Sequence, residues 1–363
     1  MSKKITTINI ALCLWLLGCC ACETTGYSGT VQTEREEMDS AGEVDSGSDL
    51  GDSEDSQGDS GFEVDIWEIS GLLDDHETLK VFILAGQSNM VGKGTVEPTQ
   101  AHLDRNGGQG TLVDLVNNAA TRSTYAHLDG GNGAWAVRDD VWLVDLEASG
   151  PLTITGETFG PELQFGHVLG DYYENPVLII KTSWGGKSLN VEFRPPSAGG
   201  TVGESYTEMV DRVHRVLGDI GEFYPGYSGQ GYEIVGLGWH QGWNDRIDSE
   251  AVAAYQSNCV HLINDLRREF DASEMRFVIA TTGMGGWEET HPRALALMEA
   301  QLAVPTDERL ESGYVSAVET RDFWRDLSVS PADQGYHWNR NAETFFLIGN
   351  AMGTAMLDLI ELP

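Results

Sequence analysis

From about Ile66 to the C-terminus, near-continuous apolar runs alternate with segments whose apolar positions recur every three or four residues. The runs Lys80–Ala85, Pro176–Lys181, Glu233–Trp239, Arg276–Thr281 and Tyr314–Val318 predict strands. The amphipathic segments Phe159–Tyr173, Tyr206–Phe223, Ser249–Phe270 and His291–Ala303 predict helices, with a last helix over about Ala342–Ile360. Strands apolar on both faces and separated by helices imply a mostly parallel sheet covered on each side, an α/β fold in three α/β/α layers. Val141–Thr155 is expected to form a hairpin inserted between these units. In such folds ligands gather at the carboxyl ends of the strands, so the residues after each strand hold the candidate chemistry.

The first 62 residues do not share this pattern. Lys3 and Lys4 precede an apolar run, Ile8–Leu17, too short for a spanning helix and suited to an export signal. Leu16-Leu17-Gly18-Cys19 resembles a bacterial lipobox, which implies a signal over residues 1–22 and a lipid on Cys19; an ordinary cleaved signal is the alternative. Several acyl chains anchor a protein stably where one does not. Residues 23–62 are expected to be an acidic disordered linker. Between Glu23 and Ser60 lie twelve acids and one base, Arg35, and too little apolar surface to offset the entropy of ordering. The random-coil reach of such a linker is roughly 35 Å. The expected location is the cell surface or periplasm as a lipoprotein, or otherwise secretion.

Composition narrows the function. With 22 Lys+Arg against 57 Asp+Glu, the formal net charge of −35 argues against nucleic acid as a ligand. Membrane contact is expected only through the lipid anchor. Four of the five cysteines lie in or beside the leader, leaving Cys259 in a helical pattern as a buried thiol. No disulfide framework and no cysteine metal site can be built.

Four strand-end blocks carry candidate chemistry. The first strand runs into Gly86-Gln87-Ser88-Asn89-Met90, where a serine just past a strand can present its hydroxyl at the top of the sheet; a plain turn is the alternative. The second ends in Thr182-Ser183-Trp184-Gly185-Gly186-Lys187-Ser188-Leu189, whose paired glycines allow close backbone approach to a ligand or simply a tight turn. The third ends in Trp239-His240-Gln241-Gly242-Trp243-Asn244-Asp245, with Gln241 and Asn244 as neutral donors to an oxyanion or as buried turn amides. Asp333-Gln334-Gly335-Tyr336-His337-Trp338-Asn339 precedes the last helix and holds a histidine able to serve as general base or as a packing residue. Trp184, Trp239, Trp243 and Trp338 lie in or beside the blocks, either as sugar-stacking faces or as core.

Together and in chain order, these blocks resemble the SGNH-hydrolase superfamily (a flavodoxin-like architecture), and more closely its sialate O-acetylesterase-like branch of carbohydrate esterases. The resemblance runs from Lys80 to about Ile360 and implies a single esterase domain over residues 63–363. It implies Ser88 as nucleophile and His337 as base, with an oxyanion held by the Ser88 N–H, a Gly185 or Gly186 N–H, and the Gln241 or Asn244 side chain. Trp184 and Trp243 are the implied substrate-binding residues, and neither metal nor other cofactor is implied. Two positions depart from the branch. It usually has Asp three residues before the histidine, where this chain has Gln334, so the orienting acid is Asp333, Asp322 or absent. Trp243 stands where many members carry an acid. The implied reaction is serine-dependent deacetylation of glycans, sialic acid or plant and marine polysaccharides. A carbohydrate-binding protein on a hydrolase fold, or an SGNH lipase or thioesterase, are the alternatives. With an unperturbed imidazole as base, activity is expected to fall below about pH 6.5.

Overall fold

The computed structural model describes residues 77–146 and 148–362, all within the unit Glu63–Pro363. The expected leader and linker lie outside the described residues. Seven strands form the central sheet: β1 Leu79–Gly86, β2 Arg138–Val144, β3 Ser149–Leu152, β4 Val177–Ser183, β5 Tyr232–His240, β6 Arg276–Ala280 and β7 Val315–Val318. Their spatial order is β7-β6-β5-β1-β4-β2-β3, and every neighbouring pair is parallel except β2 with β3.

The principal helices are α1 Ser88–Val91, α2 Glu162–Tyr172, α3 Glu204–Gly218, α4 Ser249–Glu269, α5 Pro292–Ala303 and α6 Ala342–Glu361. Alternation along β1 divides its side chains between two cores. Leu79, Val81, Ile83 and Ala85 pack with α3, α4 and α5, whereas Phe82 and Leu84 pack with α2 and α6. Burial on both faces is why β1 and β4 read as near-continuous apolar runs. Cys259 sits on the buried face of α4 as a free thiol, and burial pushes its pKa up.

Two expectations change. The hairpin is part of the main sheet rather than an insertion beside it, because β2 pairs in parallel with β4 from Val141↔Val177 to Val144↔Ile180. The helix expected to continue to Phe223 stops at Gly218; Asp219, at φ −145° and ψ 66°, leaves helical geometry before a separate turn, Ile220–Phe223.

The register sets up the site. Gly86, at the end of β1, lies beside Ser183 of β4 and His240 of β5. The three strands therefore deliver their following loops to one point on the sheet's carboxyl rim.

Candidate active site

The turn that presents Ser88 depends on a glycine. Gly86 has φ +155°, and a Cβ there would lie 2.2 Å from the His240 carbonyl oxygen. With no side chain at 86, β1 runs hard against β5 and then turns into the single-turn helix α1, whose first residue is Ser88. Gln87 is buried and latches this turn to the loop after β5. Its Oε1 accepts from the backbone N–H groups of Gly242 and Asn244 at 3.2 and 3.3 Å. Under α1, the Lys181 ammonium donates to the Val91 carbonyl at 2.9 Å and pairs with Glu162 at 2.9 Å. A buried ion pair of this kind is weak evidence for stability, but it fixes where the helix ends.

His337 arrives from the opposite end of the chain. Trp338, Asn339 and Arg340 after it all have left-handed backbone, with φ of 53°, 52° and 58°. Left-handed geometry costs about 1–2 kcal/mol per non-glycine residue. The surroundings hold it: Trp338 is fully buried, against Trp324 and His240. Asn339 donates its side-chain N–H to the Arg325 carbonyl, and its backbone N–H to the Gln334 carbonyl, both at 3.0 Å. Burying an indole removes ~150–250 Å² from water, several kcal/mol at about 25 cal/mol per Å² and enough to offset the strain. The Asn341 side chain then caps α6 by accepting from Glu343 and Thr344.

These two constructions meet. His337 Nε2 lies 3.0 Å from Ser88 Oγ across 249 positions of sequence. Asn89 strengthens the junction by donating from Nδ2 to the Tyr336 carbonyl at 3.1 Å. Ser88 and His337 are both part-exposed, so the pair opens to solvent.

No carboxylate hydrogen-bonds or ion-pairs with His337 among the described residues. Asp333 is exposed and does not bond the imidazole. Asp322 is engaged elsewhere, accepting from Trp287 Nε1 at 2.7 Å. Gln334 contributes its backbone carbonyl, which accepts from the His337 N–H at 2.7 Å. The geometry is therefore a Ser–His pair, and neither expected acid reaches the ring.

The charges that act on the ring are positive. Burial first, then the charges of Lys93 and Arg340, lower the His337 pKa from 6.5 to about 4. The ordinary imidazole value assumed from sequence is thus corrected downward, and the ring stays neutral well into the acid range.

The other expected site residues divide. Gln241 is buried, and its Nε2 already faces Asp245 at 2.6 Å, the Lys187 carbonyl at 2.9 Å and Gln87 at 3.3 Å. Two amide hydrogens facing three acceptors leave none for an oxyanion, so this side chain serves as a strut. Asn244 Nδ2 donates to the Gly186 carbonyl at 2.7 Å, pinning the turn that contains Gly185 and Gly186. That turn is exposed, and a Cβ on Gly185 would meet nothing. Its N–H groups, the Ser88 N–H and the second Asn244 hydrogen remain the available donors.

Asp245, also buried, accepts from the Leu189 and Asn190 N–H groups at 2.8 and 2.9 Å as well as from Gln241. It ties the loop after β4 to the loop after β5; burial outweighs those donors and raises its pKa to about 6.

The four tryptophans also separate. Trp239 and Trp338 are core residues, with Trp239 Nε1 donating to Tyr255 at 3.2 Å. Trp184 packs partly on Phe193, 5.9 Å between ring centroids. Trp243 faces Tyr336 at 5.9 Å, and Tyr336 lies 4.4 Å from the His337 ring. Tyr336, Lys93 and Arg340 were not singled out from sequence. Tyr336 was adjacent to the histidine and recognisable on that ground, whereas the convergence of the two cations has no local signal.

A mostly parallel α/β domain with a serine hydroxyl bonded to an imidazole at its strand ends belongs, by fold and site, to the serine-hydrolase class. The family model described as carbohydrate esterase, sialic acid-specific acetylesterase, matches residues 78–357, and the chain belongs to that family. It is accordingly a carbohydrate O-acetylesterase, a carboxylic ester hydrolase. Among solved structures, a protein of Arabidopsis thaliana shares 18% identity at a TM-score of 0.51, over 77% of this chain and 97% of the other, a likeness of fold. NanS shares 15% identity at a TM-score of 0.49, over 77% and 97%. XAC1771, described as a carbohydrate acetylesterase from Xanthomonas citri, shares 15% at 0.44, over 76% and 57%. No curated protein matches the chain.

Proposed function

We propose that the chain removes acetyl esters from glycans with a two-residue apparatus, Ser88 as nucleophile and His337 as general base and then acid. The observation that carries this is the 3.0 Å contact between Oγ and Nε2. His337 takes the hydroxyl proton as Oγ attacks the acetyl carbonyl, then passes it to the sugar oxygen as the C–O bond breaks. Water, deprotonated by the same ring, hydrolyses the acetyl-serine and releases acetate.

The tetrahedral oxyanion is received by the Ser88 N–H, the Gly185–Gly186 turn and Asn244. One such donor typically contributes on the order of 3 kcal/mol to the transition state. Lys93 and Arg340 have opposite effects at different stages. Their charge weakens the imidazole as a base in the free enzyme, yet favours the negative charge that develops on the substrate oxygen. The sugar whose acetyl group reacts lies against Tyr336 and Trp243, in keeping with a polar, aromatic site rather than a long acyl groove.

The reading is tested by acetate release from acetylated sugars, with labelling of Ser88 by a serine-reactive phosphonate. Ser88→Ala should abolish both; a variant with undiminished release would exclude Ser88 as nucleophile.

A further inference from the structure

On the β5–β7 side of the Ser–His pair the rim is aromatic, and its outermost member has no role in the reaction described above. Trp287 is 62% exposed, an unusual position for an indole. It is nevertheless held in place. Its Nε1 donates to Asp322 at 2.7 Å, and the Arg321 guanidinium lies 3.8 Å from the ring centroid, covering one face. Arg321 is itself fixed by a two-pronged contact with Glu319 at 3.0 and 2.7 Å.

Trp243 is built the same way. Arg246 sits 3.5 Å from its ring centroid and pairs with Glu289 at 3.6 Å. Two indoles, each backed by an arginine that is held by a glutamate, therefore stand on the loops that follow β5 and β6. Tyr336, 44% exposed, faces Trp243. The Trp324 indole bridges the loops that carry Trp287 and Tyr336: a Cβ on Gly286 would lie 3.0 Å from its Cβ, and one on Gly335 would lie 3.7 Å from its Cη2. Asn89, next to the nucleophile, contacts both loops through Met284 Sδ at 4.0 Å and the Tyr336 carbonyl at 3.1 Å.

We infer that Trp243, Tyr336 and Trp287 form a track for an extended glycan, and that Trp287 is a remote sugar subsite favouring oligo- and polysaccharides over monosaccharides. The inference rests on the deacetylation reading above. An indole locked on one face loses little freedom when a sugar ring stacks on the other, so its stacking contributes nearly in full to binding. Trp287 contacts Arg321 and Asp322 and is linked to Tyr336 through the loops that Trp324 spans, and the subsite is assigned to a sugar next along the chain from the one whose acetyl group is at Ser88. The Asp322 carboxylate beside it, bonded to the indole through Oδ1, has a second oxygen to accept from a sugar hydroxyl.

The test compares acetate release from chemically acetylated mono- and tetrasaccharides of a xylan and of a polyuronate, with 4-nitrophenyl acetate as the short reference ester. Wild type should prefer the tetrasaccharide of at least one backbone by about tenfold in kcat/KM. Trp287→Ala should erase that preference through KM, lowering the tetrasaccharide-to-aryl-ester ratio about tenfold, and Trp287→Tyr should recover part of it. Absence of a length preference on both backbones, or an unchanged ratio in Trp287→Ala, overturns the inference. So does a Trp287-dependent change in sedimentation without length preference, which would assign the patch to self-association. A wild-type protein that hydrolyses the aryl ester but no acetylated sugar overturns the deacetylation reading itself.

Discussion

The pH dependence of kcat/KM discriminates most sharply between this site and an ordinary catalytic triad, because it reports the free enzyme's titrating groups. Desolvation, Lys93 and Arg340 together place the His337 pKa at about 4 rather than 6.5. At pH 5 an imidazole of pKa about 4 is roughly nine-tenths neutral, whereas one of 6.5 is only about 3% neutral, a thirtyfold difference in competent base. Hydrolysis of neutral 4-nitrophenyl acetate should therefore persist nearly undiminished to pH 5 and fall with a midpoint near 4. Replacing Lys93 with Met should move that midpoint upward.

Two buried groups have to be separated from this titration. His240, wholly buried and also lowered to about 4, binds a proton in the unfolded chain below pH 6.5 but not in the folded one. Its share of stability, about 3 kcal/mol, is intact above pH 6.5 and drains away as pH falls towards 4. Asp245 runs the other way: raised to about 6, it makes folding less costly as pH drops through that value. Samples held at each pH and assayed after return to pH 7 distinguish unfolding from titration of the base. A reversible acid limb centred at 6.5 or above, still present in Asp245→Asn, would refute the assigned environment of His337.

Two further outcomes follow, one from the geometry and one from the lipobox resemblance. Asp333→Asn should leave kcat within about twofold of wild type, since the carboxylate does not touch the ring; a loss on the order of a thousandfold, as expected for removing a triad acid, would restore Asp333 as the orienting residue. The lipobox resemblance of Leu16–Cys19 is a proposal with its own test: the wild type should incorporate labelled palmitate and Cys19→Ala should not, whereas an unlabelled wild type or unchanged labelling of the variant would exclude a lipid on Cys19.

Much of the fold and part of the site are written locally in the chain. The five expected strands occur within one to two residues of their predicted limits, because a strand covered on both faces must be apolar at nearly every position. Ser88 and His337 each have a plain alternative in the sequence, a turn and a packing residue, and are singled out there only by the family resemblance of the ordered blocks; their 3.0 Å contact belongs to the tertiary structure. Other features depend on partners far away in sequence. Whether β2 is an insertion or a sheet strand is decided by its pairing with β4. Gln241 and Asn244 look equivalent in one loop, yet Asp245, Lys187 and Gln87 occupy the first while the second keeps a hydrogen free. Trp239 and Trp338 resemble Trp243 in composition and context, and only packing puts them in the core.

The division has one physical origin. Periodicity and turn residues are properties of neighbours along the backbone, so the order of residues is enough to read the layers and the strand ends, and resemblance of the ordered blocks then nominates the two groups that meet there. Burial, field and hydrogen-bond saturation are properties of neighbours in space. They determine that no carboxylate bonds to His337, that burial, with Lys93 and Arg340 behind it, lowers its pKa, and that Trp287 is held open to solvent at the rim.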